Sequence, residues 1–372
     1  MDIKKCFKIA TNLKVSDIHL VVGYPVFIRI DGQLKPLYKL SDFSKNKIKD
    51  QDIEKIAQEI LSEEQFKRLK EKKDIDCGIT IDKYRFRVNF SFEKGNYKLA
   101  VRTITNEQPS LKDIGMPPVV TDLLQSKQGL ILITGPAGCG KSTTLAAMIN
   151  YINKNRKDHI VTLEDPIEYI FKPNKSLIAQ RQLGEDMLSF ASGLRHVLRQ
   201  DPNVIMIGEM RDLETISTAV TVAETGHLVL ATLHTYSAAQ TIDRIIDVFP
   251  AHQQNQIKAQ LSIVLKSVIS QRLLPKKDGG RVAAREIMIK NSAVSNLIRE
   301  GKVGQLKTII ETGSSLGMNT FEKHVKELYE SNQISLEVAN SYVDKIENND
   351  TLLSVDIQEQ DEAGAEKEES SW

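Results

Sequence analysis

The residues best equipped for chemistry lie between Gly129 and Asn150, in the run GLILITGPAGCGKSTTLAAMIN. An apolar stretch turns through Gly135-Pro136-Ala137-Gly138-Cys139-Gly140 and becomes a good helix former from Lys141 onward. The spacing G-x-x-x-x-G-K-[ST] is that of a phosphate-binding loop. Its glycines allow backbone conformations that aim successive N–H groups at phosphate oxygens. The helix that follows adds the positive end of its dipole. Lys141 is spaced to reach β- and γ-phosphates and the Ser142 hydroxyl to ligate Mg²⁺, with Thr143 beside them on the phosphates. The bland alternative is a glycine-rich turn that happens to precede Lys-Ser. The position between a strand pattern and a helix pattern is the one the mechanism requires, and it favours nucleotide binding.

Around this run, strand patterns at 129–134, 159–163, 204–208 and 228–233 alternate with helix patterns at 141–153, 212–223 and 237–248. That order predicts an α/β core, a parallel sheet flanked by helices. Ligands of such sheets sit at the carboxyl ends of the strands. Polar residues just after each apolar run therefore converge on one edge: the phosphate loop, then Glu164, Asp165 and Glu168, then Glu209, Arg211 and Asp212, then His234. An ATPase needs a carboxylate near Mg²⁺ and a group that orients the attacking water. Glu209 suits the first role, with Gly208-Glu209 standing where an aspartate is usual, and Glu164 suits the second. His234 lies at the correct edge to sense a γ-phosphate. His227 opens the same strand at its other end, where packing or an interface role serves as well. The two histidines, i and i+7 on a strand, face opposite ways and do not pair on a metal.

The first hundred residues read as a separate α+β domain. Ile18 to Ile30 is strand-like and broken at Gly23-Tyr24-Pro25, and Asp31-Gly32 is a hairpin signal. Helical spacing runs from Asp52 to Lys72, and strands follow at 84–92 and 97–104 around the Lys94-Gly95-Asn96 turn. In the first of these strands Tyr84, Phe86, Val88 and Phe90 point one way and Arg85, Arg87 and Asn89 the other. The arginines form either a solvated sheet face or a face that meets phosphates. Residues 106–118, with three prolines and a glycine, read as a linker. Beyond the core strands, a helix is predicted over 253–273 with Ile257, Leu261, Val264, Leu265, Val268 and Ile269 on one stripe. A strand near 282–288 follows Gly279-Gly280, short helices fill 292–346, and the acidic tail 355–372, ending in Trp372, predicts disorder.

At 372 residues two domains are the natural expectation. An apolar content of 41% is that of an ordinary globular chain, and a net charge of +1 argues against a dedicated nucleic-acid surface. Three widely spaced cysteines, Cys6, Cys77 and Cys139, suggest a reducing compartment and exclude a zinc site of paired Cys-x-x-Cys. The N-terminus lacks the apolar core of a secretory signal, and no run is long enough to cross a bilayer. A cytoplasmic protein is expected, with no direct membrane insertion and with any membrane association made through partners.

With these residues assembled, the chain resembles the PilT family of type IV pilus retraction ATPases, within the secretion ATPase superfamily. The resemblance runs from Ser16 to Ile346. It is carried by Ser16 to Leu20, Arg85 to Asn89, GPAGCGKSTT, TLEDPIEY (Thr162 to Tyr169), RQDPNVIMIGEMRDLET (Arg199 to Thr215), AETGHLVLATLHT (Ala223 to Thr235) and QRLLP (Gln271 to Pro275). It implies a PAS-like N-terminal domain over 1–105, a linker over 106–118, a RecA-like P-loop NTPase core over 119–290, a C-terminal helical part over 291–349 and an acidic tail from 350. It also implies ATP and Mg²⁺ as cofactors, a homohexameric ring, and recruitment to an inner-membrane pilus platform protein at the cytoplasmic face of the membrane. Glu164 would lie in the hydrolytic centre, Glu209 in the Walker B segment, and His227 and His234 in the His box. Arg85, Arg87 and Arg102 would approach bound phosphate. Ser295 stands where the family's retraction segment usually has arginine. Assembly or secretion ATPases, an auxiliary retraction paralogue and a nucleotide-gated binding ring are the rival readings. Assembly and secretion relatives typically carry an extra N-terminal domain and often a four-cysteine metal motif, neither of which is found here.

Overall fold

The structure, a computed structural model, describes residues 3–13, 15–30, 33–81, 84–104 and 108–343. The hairpin signal Asp31-Gly32, the first two linker residues and the acidic tail lie outside them.

The N-terminal part builds an antiparallel six-stranded sheet from β1 (Asp17–Val21), β2 (Phe27–Ile30), β3 (Gln33–Pro36), β4 (Asp74–Ile81), β5 (Tyr84–Glu93) and β6 (Asn96–Ile104), in the order β3-β2-β1-β6-β5-β4. The alternation in β5 sends Phe86, Val88 and Phe90 into a core shared with α1 (Ile3–Asn12), α2 (Asp50–Ile60) and α3 (Glu63–Lys72). Phe7 of α1 stacks on Phe86 with ring centroids 4.7 Å apart. The opposite face carries a charged row in register: Arg29 faces Asp17, Asp17 faces Arg102, and Arg102 faces Arg87.

The helix expected over 52–72 is two helices. The Ser62 hydroxyl accepts the Gln65 N–H at 3.2 Å, and the Gln65 side chain accepts the Ser62 N–H at 3.0 Å. This reciprocal cap starts a new helix and ends the old one at Leu61. Strand β4 and helix α1 were not foreseen.

The second sheet has seven strands: β7 (Gly129–Thr134), β8 (His159–Glu164), β9 (Leu177–Gln182), β10 (Val204–Ile207), β11 (Leu228–Leu233), β12 (Leu265–Pro275) and β13 (Arg281–Ile289). Their order is β13-β12-β7-β11-β10-β8-β9, parallel throughout except for the antiparallel β12–β13 pair. Alternate residues of β7 serve two cores, Leu130 and Leu132 one, Ile131 and Ile133 the other, so both faces are covered. Helices α4 (Val119–Leu123) and α5 (Lys141–Asn155) contribute to the second core. Helices α6 (Phe190–Val197), α7 (Leu213–Glu224), α8 (Ala238–Asp247), α9 (Ala251–Val264), α10 (Ser292–Glu300) and α11 (Leu306–Thr312) contribute to the first. Helices α12 (Phe321–Glu330) and α13 (Leu336–Asn340) close a small cluster on β12 and β13.

The helix predicted over 253–273 ends at Val264, and the chain continues as β12. The cause is burial on both faces: Val268 enters one core and Ile269 the other. A strand buried on both sides shows no alternation, so its apolar run reads equally as a helix. The expected linker is not free either, since Leu111 and Met116 are buried against the second core.

Candidate active site

The phosphate loop joins β7 to α5 at the carboxyl edge of the sheet. Gly135 has φ 142°, and a Cβ there would lie 2.3 Å from the Gln271 carbonyl oxygen, so only glycine fits. Gly140, the residue before α5, has φ 89°. The Lys141 ammonium donates to the carbonyls of Gly135 at 2.8 Å and Pro136 at 3.0 Å. Its pKa is lowered by burial, against the opposing fields of Cys139, Glu209 and Glu168. Ser142 is exposed at the start of α5. The Thr143 hydroxyl meets the Tyr169 hydroxyl at 3.1 Å, tying the helix to the loop after β8. Pro136, Ala137, Gly138 and Cys139 form one wall of a cavity of about 350 Å³, with Tyr236, Arg272, Leu273, Arg281 and Tyr342 on the others.

Lys141, His234 and Glu209 form a row along this edge. The Lys141 ammonium lies 3.5 Å from His234 Nδ1, and His234 Nε2 lies 3.4 Å from the Glu209 carboxylate. Glu209 also pairs with Arg211 at 2.5 Å. Order along the sheet explains the row, because β11 separates β7 from β10 and supplies the histidine between them.

Glu164 ends β8, three strand steps from β7 and so roughly 14 Å across the edge. Its carboxylate is buried, and Thr162 Oγ1 at 2.7 Å and Gln180 Nε2 at 2.9 Å both donate to Oε1. Burial raises its pKa to about 7 against those two hydrogen bonds. Gly208 lets β10 lie close alongside, since a Cβ there would meet the Leu163 carbonyl oxygen at 3.2 Å.

Two of the three N-terminal arginines reach the loop after β8. The Arg85 guanidinium donates to the Ile167 carbonyl at 3.3 and 3.4 Å and to Thr80 Oγ1 at 3.2 Å. Burial lowers its pKa, opposed by Cys77 and Glu164. It lies over Gly78, where a Cβ would come within 2.2 Å of Nη2. Arg87 pairs with Asp76 at 3.6 Å and Glu168 at 3.8 Å. Arg102 pairs instead with Asp17 at 3.0 Å. His227 precedes β11, at the far end from His234, and its Nδ1 lies 3.2 Å from the Val222 carbonyl oxygen.

Sequence reasoning gave no role to Gln271, Gln180, Thr162 or Tyr169. Gln271 is buried on β12, where it donates to the Cys139 carbonyl at 2.8 Å and accepts from the Thr144 hydroxyl at 2.9 Å. The loop is held from the neighbouring strand by this one amide. Gln271→Leu leaves both partners unpaired, which costs about 1–3 kcal/mol per buried group. We expect a lower melting temperature and roughly tenfold weaker nucleotide binding, read by calorimetry; unchanged binding would show that the loop shapes itself.

A phosphate loop at the carboxyl edge of a mostly parallel sheet, beside a Lys–His–Glu row and a buried glutamate, defines a P-loop ATPase. The chain belongs to the family described as Type II/IV secretion system protein, whose model matches residues 1–356. It is 43% identical to the type IV pilus retractation ATPase PilT of Pseudomonas aeruginosa over 340 residues, covering 91% of this chain and 97% of that one. It is 44% identical to a twitching motility protein of Neisseria gonorrhoeae, over 84% of this chain and 82% of the relative. The crystal structure of the pilus retraction motor PilT with bound ADP superposes with a TM-score of 0.84 at 45% identity, covering 92% of this chain and 97% of that one.

Proposed function

We propose that this chain is a type IV pilus retraction motor. It hydrolyses ATP as a homohexamer at the cytoplasmic face of the inner membrane, docked on a platform protein of the pilus machinery, and withdraws pilin subunits to drive twitching. The observation that carries this reading is the match to a retraction motor across both sheets, over 97% of that relative's length.

In this reading residues 135–143 hold the nucleotide phosphates, with Lys141 turning from its own loop carbonyls to the β- and γ-phosphates. The cavity beside the loop has room for the nucleotide's base end. Mg²⁺ would be held by the Ser142 hydroxyl and Glu209, the latter through ordered water. Among the described residues no three His, Cys, Asp or Glu side chains gather around a metal position. One hydroxyl and one carboxylate suit Mg²⁺, which keeps several waters and takes phosphate oxygens rather than an all-protein cage. When bound, the ion would neutralise charge on the transferring phosphoryl group. His234, between Lys141 and Glu209, is placed to report the state of the γ-phosphate. Glu164 orients the attacking water. Arg85 and Arg87 neutralise charge developing in the transition state, with Arg102 extending the same cationic face.

A deletion strain tests the biological half of the reading. Hyperpiliated, non-twitching cells are expected; loss of surface pili would overturn retraction in favour of assembly. Phosphate release by the purified protein separates a motor from a binding ring.

A further inference from the structure

Arg285 is buried in the middle of β13, with 2% of its surface exposed. Its Nη2 donates to the Ile114 carbonyl at 2.6 Å and its Nη1 to the Gly115 carbonyl at 3.1 Å. Both carbonyls belong to the segment that leads from the first sheet to the second. Its backbone N–H donates to His324 Nδ1 of α12 at 3.0 Å. Directly opposite it on β12 stands Gln271, the residue that holds Cys139 and Thr144.

Burial lowers the guanidinium's pKa to about 10, so it stays charged at neutral pH, and among the described residues no carboxylate counteracts it. Among the described residues its Nε has no hydrogen-bond partner. A buried charge without a counter-ion is costly, and an apolar side chain of similar volume would pack the site more cheaply. The two carbonyls are what this cation has in exchange. The same segment is also anchored by Leu111 and Met116, buried in the second core, while its other side-chain hydrogen bonds include Asn150 of α5 to the Pro109 carbonyl at 3.4 Å and Gln108 to the Ile170 carbonyl at 2.7 Å.

We propose that Arg285 is a positioning residue that fixes the connecting segment at Ile114-Gly115 to the strand pair supporting the phosphate loop, so that Arg85 and Arg87 follow movements of that loop. The contacts run from the phosphate loop to Gln271, across one strand pair to Arg285, and then to Ile114 and Gly115 on the chain that leads from the first sheet. Arg285 touches no nucleotide and acts through the placement of other groups. The proposal rests on the reading of Arg85 and Arg87 as neutralising groups.

The test uses the full-length protein with Arg285→Met, Arg285→Lys, Gly115→Ala, Arg87→Ala and the Arg87→Ala/Arg285→Met pair. Gly115 has φ 61° with open space around a Cβ, so alanine there strains only the backbone that presents the carbonyl. In Arg285→Met, kcat is expected to fall about tenfold with the KM for ATP within about twofold, as misplacement of a distant group predicts. Amide exchange over 108–116 should accelerate in the same variant. The paired variant should turn over no more slowly than Arg87→Ala alone, because the two act through one group. Arg285→Lys and Gly115→Ala should move kcat in the same direction by less, and they decide the matter if Arg285→Met does not fold. Wild-type kcat in both mild variants overturns the proposal, as does a paired loss equal to the product of the single losses. Wild-type turnover in Arg87→Ala alone would instead sink the arginine reading.

Discussion

Alanine at Lys141 is expected to abolish ATP turnover and weaken nucleotide binding by about 100-fold or more, whereas alanine at Glu209 abolishes turnover with nucleotide still bound. The geometry separates the two effects. Lys141 is half-buried inside the loop, its ammonium on the Gly135 and Pro136 carbonyls, the position from which the proposed reading turns it to the phosphates. Glu209 stands beyond His234 at the far end of the row. In the proposed reading its charge bears on the metal and the reacting phosphoryl group, and much less on a nucleotide held by the loop's backbone N–H groups. Titration with a fluorescent nucleotide, alongside phosphate release, reads both quantities. Wild-type-like hydrolysis in the Glu209 variant would remove it from the metal shell.

Glutamine at Glu164 should cost about 10²- to 10⁴-fold in kcat while leaving nucleotide affinity intact. The side chain keeps its shape and can still pair with Thr162 and Gln180, so loss of activity reports loss of the carboxylate. Its titration gives an independent check. Burial stabilises the neutral acid, and the pKa of about 7 leaves the carboxylate minor below neutrality and dominant above it. If the ionised form orients water, kcat rises with pH through about 7 and then levels off. The glutamine variant should lack that rise. A wild-type profile that is flat from pH 6 to 8, about one unit either side of the shifted value, would reassign the role.

The parts of the site visible in sequence are those where one residue type is demanded by one geometry. The loop 135–143 is such a case, because strand, glycines, lysine and helix must come in that order. Glu164, Glu209 and His234 could be found because a parallel sheet collects its strand ends on one edge, and their apolar strands were easy to delimit. Arg85 was visible as an alternating position, though the alternation could not say what it faced. The answer depended on Gly78, a vacancy on another strand. Gln271 and Arg285 were hidden for a different reason. Gln271 sits in a strand that the helical spacing over 253–273 disguised, and Arg285 in one that was legible as a strand, but a polar residue in a buried strand shows its purpose only through its partner. β9, an edge strand reading Leu177–Gln182 with mixed polarity, gave no periodic signal at all. Ser62, Glu63, Glu64 and Gln65 formed a legible cap in the middle of the expected helix; helical spacing carried across it because α2 and α3 both pack on the same core.

Between the two sheets the contacts are polar. Gln65 donates to Glu185 at 2.7 Å and Arg68 to the Gly184 carbonyl at 3.1 Å, while Arg85 and Arg87 grip the loop after β8. Among the described residues no apolar cluster includes side chains from both sheets. Such a seam has little adhesive free energy of its own, because exposed ion pairs contribute about 0–1 kcal/mol each and are screened by salt. It can therefore open and close repeatedly without rupturing a core, and ionic strength becomes a brake or a lubricant on each cycle of the engine.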